Sequence, residues 1–285
     1  MEAVGNAIGI IIKKPFILIF WGILTLIITL VEYLLPVFRT IYELSSISGS
    51  NFFESIISFI QVIYGFITDT KAVIIIIGVI VILAVLAAIS ILAAVLLSGY
   101  FYKLNNAVNK KHGEKNEFAT GIKEYFGPMW LVNYIVFTAG LLLLVIMVIA
   151  SVPALIITRA AIGKGLEMLP AVLFVDVLTC VVLFFGAMFF RIYVIFTYPA
   201  LMNNGKGVFL KAKRFADSNF WKILCTVFVF DVIFIGFQVM FVSLDDNIWL
   251  LLLKWIFLTV FYSVATTYVF AAYKKYSEKR AGKRT

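Results

Sequence analysis

Six stretches of this chain are apolar over twenty or more consecutive residues: Phe16 to Leu35, Ala72 to Leu97, Trp130 to Ile157, Ala171 to Tyr198, Phe220 to Val242, and Ile248 to Ala272. A hydrocarbon layer about 30 Å thick is crossed by roughly 20 helical residues at about 1.5 Å each. Each stretch is therefore long enough to span. Composition closes the alternative of a soluble fold: 63% of the residues are apolar and 14% charged, and mean hydropathy is +1.07. One soluble globule of this size cannot cover 28 phenylalanines along with the rest. The reading is an all-α polytopic membrane protein of six transmembrane helices, in which a single membrane domain fills residues 1–285.

The first stretch is expected to stay in the protein. It is too long for the apolar region of a leader, and no small-x-small site follows it before Glu32 and Tyr33. The stretch from Trp130 is longer than a span needs, which predicts tilt or a kink at Pro153.

The net charge of +9 is arranged as a topology signal. Lys13 and Lys14 precede the first span, and Lys103, Lys110, Lys111, Lys115 and Lys123 separate the second from the third. Lys206, Lys211, Lys213, Arg214 and Lys222 accompany the connection from the fourth to the fifth. Lys274, Lys275, Lys279, Arg280, Lys283 and Arg284 follow the sixth. The alternate connections carry Arg39 and Lys71, then Arg159 and Lys164, then only the acidic Asp245 and Asp246. Cytoplasmic connections are rich in lysine and arginine, so both termini are expected in the cytoplasm of a plasma-membrane protein. Cations divided between apolar blocks do not form a nucleic-acid face, and no nucleic-acid partner is expected.

A short patterned segment precedes every odd-numbered span. Val4, Ile8, Ile11 and Ile12 lead to Phe16; Phe118, Ile122, Tyr125 and Phe126 lead to Trp130; Val208, Ala212, Phe215 and Ala216 lead to Phe220. The i, i+4, i+7, i+8 spacing places each set on one helical face. Lys14-Pro15, Gly127-Pro128 and Asp217-Ser218-Asn219 then predict a change of direction. This predicts three tandem parallel units, 1–110, 111–200 and 201–273, with a basic tail from 274 to 285. Each unit is an inner-leaflet amphipathic helix, a corner and a spanning hairpin. The connection from Pro36 to Thr70 adds Phe52, Phe53, Ile56, Ile57, Ile60, Ile63, Tyr64 and Ile67 at helical spacing, as expected of a further amphipathic helix.

Tyr198-Pro199-Ala200-Leu201 through Gly207, then Lys211 to Asn219-Phe220-Trp221-Lys222, form a proline exit, a basic helix and an Asn-Phe-Trp corner. Weaker echoes occur at Pro15-Phe16 and Pro128-Met129-Trp130. This resembles the membrane domain associated with glycerophosphoryl diester phosphodiesterases and related six-helix bacterial integral membrane proteins. The resemblance covers about thirty residues. It implies a helical membrane domain and transfers no catalytic residue, because the hydrolase in such fusions is a separate barrel of typically about 250 residues.

Ionisable groups within the spans are Glu32, Asp176, Arg191, Asp231 and Lys254. A charge at the centre of a span costs about 2.5–3.5 kcal/mol on insertion scales, so each needs a partner or water. Similar depth predicts Asp176 with Lys254 and Arg191 with Asp231, while Glu32 reaches water near the outer interface. These four paired residues serve either as packing pairs or as a path for an ion, proton or polar substrate. Lys211, Lys213, Arg214, Lys274 and Lys275 are candidate contacts to anionic lipid. His112 is the one histidine, and Gly163-Lys164-Gly165 and Gly205-Lys206-Gly207 lack the rest of a phosphate loop. No catalytic, cofactor or metal site is expected. The expected function is a non-enzymatic component that organises or senses lipid or serves in a larger membrane assembly. The alternative is a small transporter or channel.

Overall fold

The computed structural model describes residues 2–34, 72–110, 116–161, 169–204, 207–242 and 248–281. The amphipathic helix expected between Pro36 and Thr70 lies outside them. The elements are α1 (Glu2–Lys13), α2 (Phe16–Leu34), α3 (Ala72–Asn109), α4 (Glu117–Ala161), α5 (Leu169–Ile195), α6 (Thr197–Asn204), α7 (Val208–Val242) and α8 (Ile248–Ala281). No strand occurs among the described residues.

Six helical stretches are long and apolar enough to cross a membrane, in α2, α3, α4, α5 with α6, α7 and α8. Their outward surfaces are apolar, with Leu92, Ile149, Phe174 and Ile235 each 59–69% exposed. Such surface is stable against lipid, where a helix satisfies every backbone group internally. The protein is therefore an all-α, multi-pass membrane protein. Several helices outrun the hydrocarbon: the 45 residues of α4 extend about 68 Å and the 38 of α3 about 57 Å. In α3 the surplus lies beyond Leu97, where Ser98, Tyr100, Phe101, Leu104 and Val108 are buried.

The three expected corners behave differently. At Lys14-Pro15 the chain leaves α1 and starts α2, with Lys14 N–H donating to Ile11 O at 3.2 Å. At Asn219 the backbone leaves helical dihedrals (φ −129°, ψ 16°) inside α7. There Ser218 Oγ and Asn219 Nδ2 donate to Phe215 O at 3.0 and 3.2 Å, local side-chain bonds onto the turn that precedes the kink. Gly127-Pro128 is a correction, because α4 runs through it as one helix. The residue before proline resists the helical region mainly through its Cβ and N–H, and glycine removes the Cβ clash. The middle amphipathic segment is thus the first part of the spanning helix. Pro199 does end a helix: its ring and missing N–H act on the carbonyl four residues back, and α5 stops at Ile195.

Two compact units are present. The first comprises Met1–Leu34, Ile91–Asn133 and Arg191–Thr285, and the second Leu35–Ser90 and Tyr134–Phe190. In the first, α8 packs against α1, α2, α6 and α7. Its core holds Ile17, Tyr100, Leu104, Met129, Ile192, Phe196, Leu201 and Ile223. Phe215 links Phe196 and Tyr273, with ring centroids at 4.8 and 4.7 Å. In the second, Val136, Ala154 and Met188 are buried, and a groove of about 450 Å³ lies along Gly140, Leu144, Met147, Leu183, Ala187 and Phe190.

The buried faces of the amphipathic segments follow membrane packing rules. For the third segment the apolar face read from spacing is the buried one: Val208, Ala212, Phe215 and Ala216. In α1 the buried stripe is Ala3, Ala7 and Ile11, while Ile8 and Ile12 are 45% and 77% exposed. That face is rotated from the one expected. Lipid tails are as apolar as isoleucine, so burying Ile8 gains little. Alanine instead lets two helix backbones approach closely.

Candidate functional site

The intramembrane charges are held by α2, α5, α7 and α8. Arg191 Nη1 donates to Asp231 Oδ1, forming the α5–α7 pair expected from depth. The other expected pair is corrected, since Asp176 and Lys254 each take a different partner. Lys254 Nζ donates to Glu32 Oε1 at 2.8 Å, joining α8 to α2. Asp176 accepts from Thr158 Oγ1 at 3.0 and 3.1 Å, within the α4–α5 hairpin. Depth within reach of the side chains is necessary for a pair but does not choose among helices. The neighbours in the bundle make that choice, and α8 lies against α2. Glu32, expected to reach water, is engaged by Lys254, although its side chain remains 41% exposed.

A polar seam, not anticipated from the sequence, runs between α2 and α8 from the Lys254–Glu32 pair toward the basic end. Trp255 Nε1 donates to Gly22 O at 2.8 Å, and the Thr25 and Thr259 hydroxyls meet at 2.8 Å. Trp21 stacks on Tyr262 and donates from Nε1 to Tyr100 OH and Thr266 Oγ1 at 2.9 and 3.0 Å. Side-chain hydrogen bonds between membrane helices average about 0.6 kcal/mol, so such a seam sets register more than it adds stability. The signal was present as hydroxyl residues at helical spacing, Thr25 with Thr29 and Thr259 with Ser263, Thr266 and Thr267.

An amide cluster ties α3, α4 and α6 at the basic end. Asn203 Nδ2 donates to Asn105 Oδ1 at 3.2 Å and to Pro199 O at 2.8 Å; Asn106 Nδ2 donates to Glu117 Oε1 at 3.3 Å. Tyr125 OH donates to Met202 O at 3.4 Å, joining the segment ahead of Trp130 to α6.

The candidate lipid contacts divide. Lys211, Lys213 and Arg214 are exposed on α7, interleaved with Phe209 and Leu210, which are 41% and 54% exposed. Lys275 is half-buried. Lys274 is half-buried as well, and its Nζ donates to Val108 O at 2.9 Å, placing the ammonium at the C-terminal end of α3, where the helix dipole favours a cation. Trp221 and Trp249 are 72% and 74% exposed, as side chains suited to the two headgroup layers would be. Among the described residues no group of three or more His, Cys, Asp or Glu is placed to hold a metal ion. Comparison of the chain with known protein families, with curated proteins and with solved structures yields no match.

Proposed function

We propose that this chain is a non-enzymatic integral membrane protein that organises or senses lipid, directly or as a subunit of a membrane assembly. In this reading it lies in the plasma membrane with both termini cytoplasmic. Of its three units, the first and third are led by an amphipathic segment at the inner leaflet, and anionic headgroups are its ligands. One observation carries the reading: the first turns of α7 bury Val208, Ala212, Phe215 and Ala216 against the protein while Lys211, Lys213 and Arg214 face outward beside exposed Phe209 and Leu210. Such a helix has one face for the bundle. Its other side combines apolar residues at acyl depth with cations that extend to the headgroups. The local resemblance to the phosphodiesterase-associated membrane domains accords with this role, since that domain is the non-catalytic part of its fusions.

The competing reading is a small transporter or channel using Asp176, Arg191, Asp231 and Lys254. Each of these already binds a side chain, so transport requires these contacts to open.

The test is competition between phosphatidylglycerol and phosphatidylcholine for the purified full chain, read by native mass spectrometry. Each cation near an anionic surface is worth about 1 kcal/mol. Replacing Lys211, Lys213 and Arg214 with glutamine therefore lowers the anionic preference by up to about a hundredfold. An unchanged preference overturns the proposal. Labelling of single cysteines near each end tests the orientation.

A further inference from the structure

The Arg191–Asp231 pair has an environment that lipid cannot supply. Arg191 is seven residues before Tyr198, where the apolar stretch ends, about 10 Å at helical rise. Along α7, Asp231 is twelve residues beyond the Asn219 kink, about 18 Å deep. A lone arginine at 10 Å lowers its cost by extending toward the nearer headgroups. Arg191 does the opposite and reaches deeper to meet Asp231. Its side chain is nonetheless 45% exposed, and that of Asp231 17%. A guanidinium carries five N–H donors, and Asp231 Oδ1 is its acceptor among the described residues. Donors left open to acyl chains would have no acceptor, and ionisable groups in spans face protein or water rather than lipid.

Beside the pair the exposed surface of α7 is apolar. On α7, Val232 and Ile235 are 54% and 59% exposed, and Ile235 lies one turn from Asp231 on the same face. What covers this face must be apolar at its margins and carry both charge signs at matching depth. A second copy meets that description. Rotation about a two-fold axis along the membrane normal preserves depth, so it sets Arg191 of one copy opposite Asp231 of the other, and the reverse.

We propose that the chain forms a two-fold dimer in the membrane through the α5–α7 face bearing Arg191 and Asp231. Each guanidinium meets the second copy's Asp231 as well as its own. The four charges form one neutral cluster shielded from lipid, and the exposed apolar residues beside it form the margin. The inference rests on the membrane-spanning fold and not on the lipid-binding role, so the two fail separately.

The test exploits self-complementarity. In the variant Arg191→Asp with Asp231→Arg, the pair within one chain is kept, and a dimer of two such chains is as well matched as the wild type. A mixed dimer sets Arg191 against the new arginine and Asp231 against the new aspartate. Differently tagged full-length chains are co-expressed and co-purified in mild detergent. Like-with-like combinations are expected to co-purify, and the mixed combination at least tenfold less. Ile235→Cys, with Cys180 and Cys225 changed to alanine, is expected to form a disulfide-linked dimer in membranes. A monomeric wild type overturns the proposal, as does mixed co-purification equal to the matched. So does full labelling of the Ile235→Cys thiol by a membrane-impermeant maleimide, which places water at this face.

Discussion

Gly121 is a point of close approach between α4 and α3. A Cβ added there would lie 2.5 Å from Tyr102 Cβ and 2.9 Å from Ser98 O. Neither atom can swing aside, because one is fixed to the α3 backbone and the other belongs to it. Alanine at 121 therefore moves a helix. Overpacking of this kind costs about 1–3 kcal/mol. Against it stands the intrinsic advantage of alanine over glycine in a helix, about 1 kcal/mol. Gly121→Ala is thus expected to destabilise by up to about 2 kcal/mol, and Gly121→Val by more. Two neighbours in kind provide the controls. At Gly99 the added carbon meets the Phe118 ring at 2.8 Å. That ring is a rotatable side chain, 38% exposed, so Gly99→Ala should cost little. At Gly236 nothing lies within 4 Å, and Gly236→Ala should stabilise. The assay is the apparent unfolding midpoint of each purified full-length variant in one detergent, compared by rank because membrane proteins often unfold irreversibly. The expected order is Gly236→Ala above wild type, Gly99→Ala near it, and Gly121→Ala below. Gly121→Ala matching or exceeding wild type would refute the close-approach argument.

Thr25 and Thr259 donate to Trp21 O and Trp255 O at 2.6 and 2.8 Å and also meet each other at 2.8 Å. Two hydroxyl hydrogens cannot serve three contacts, so a Thr→Val double-mutant cycle should give a coupling below about 0.6 kcal/mol, the membrane average; a value near the known maximum of about 1.7 would contradict the hydrogen count. Arg191→Leu alone leaves Asp231 without its cation and should lower the unfolding midpoint more than Arg191→Leu with Asp231→Leu, which strands no charge. Equal losses would show that the pair is not coupled. Lys274→Met removes the ammonium from Val108 O, and hydrogen exchange in the last turn of α3 should accelerate while α2 is unaffected; unchanged exchange there would remove the capping role.

Hydrophobic length made much of the architecture legible in the order of residues alone. A run of twenty apolar residues has few solutions in water, so Phe16 to Leu35 and its five counterparts could be read as spans one at a time. The buried face of the third amphipathic segment was legible for a similar reason, because Val208, Ala212, Phe215 and Ala216 lie within three turns of one helix. What depended on neighbours was not legible. Lys254 bonds Glu32 rather than Asp176, and Lys274 reaches the end of α3. The lipid-facing turn of α1 falls at Ile8 and Ile12 because alanine, not isoleucine, allows close contact with α8. Span length and helical periodicity are properties of consecutive residues. Which helix lies beside which depends on backbone approach and hydrogen-bond partners brought together from distant parts of the chain, and only the folded bundle decides that.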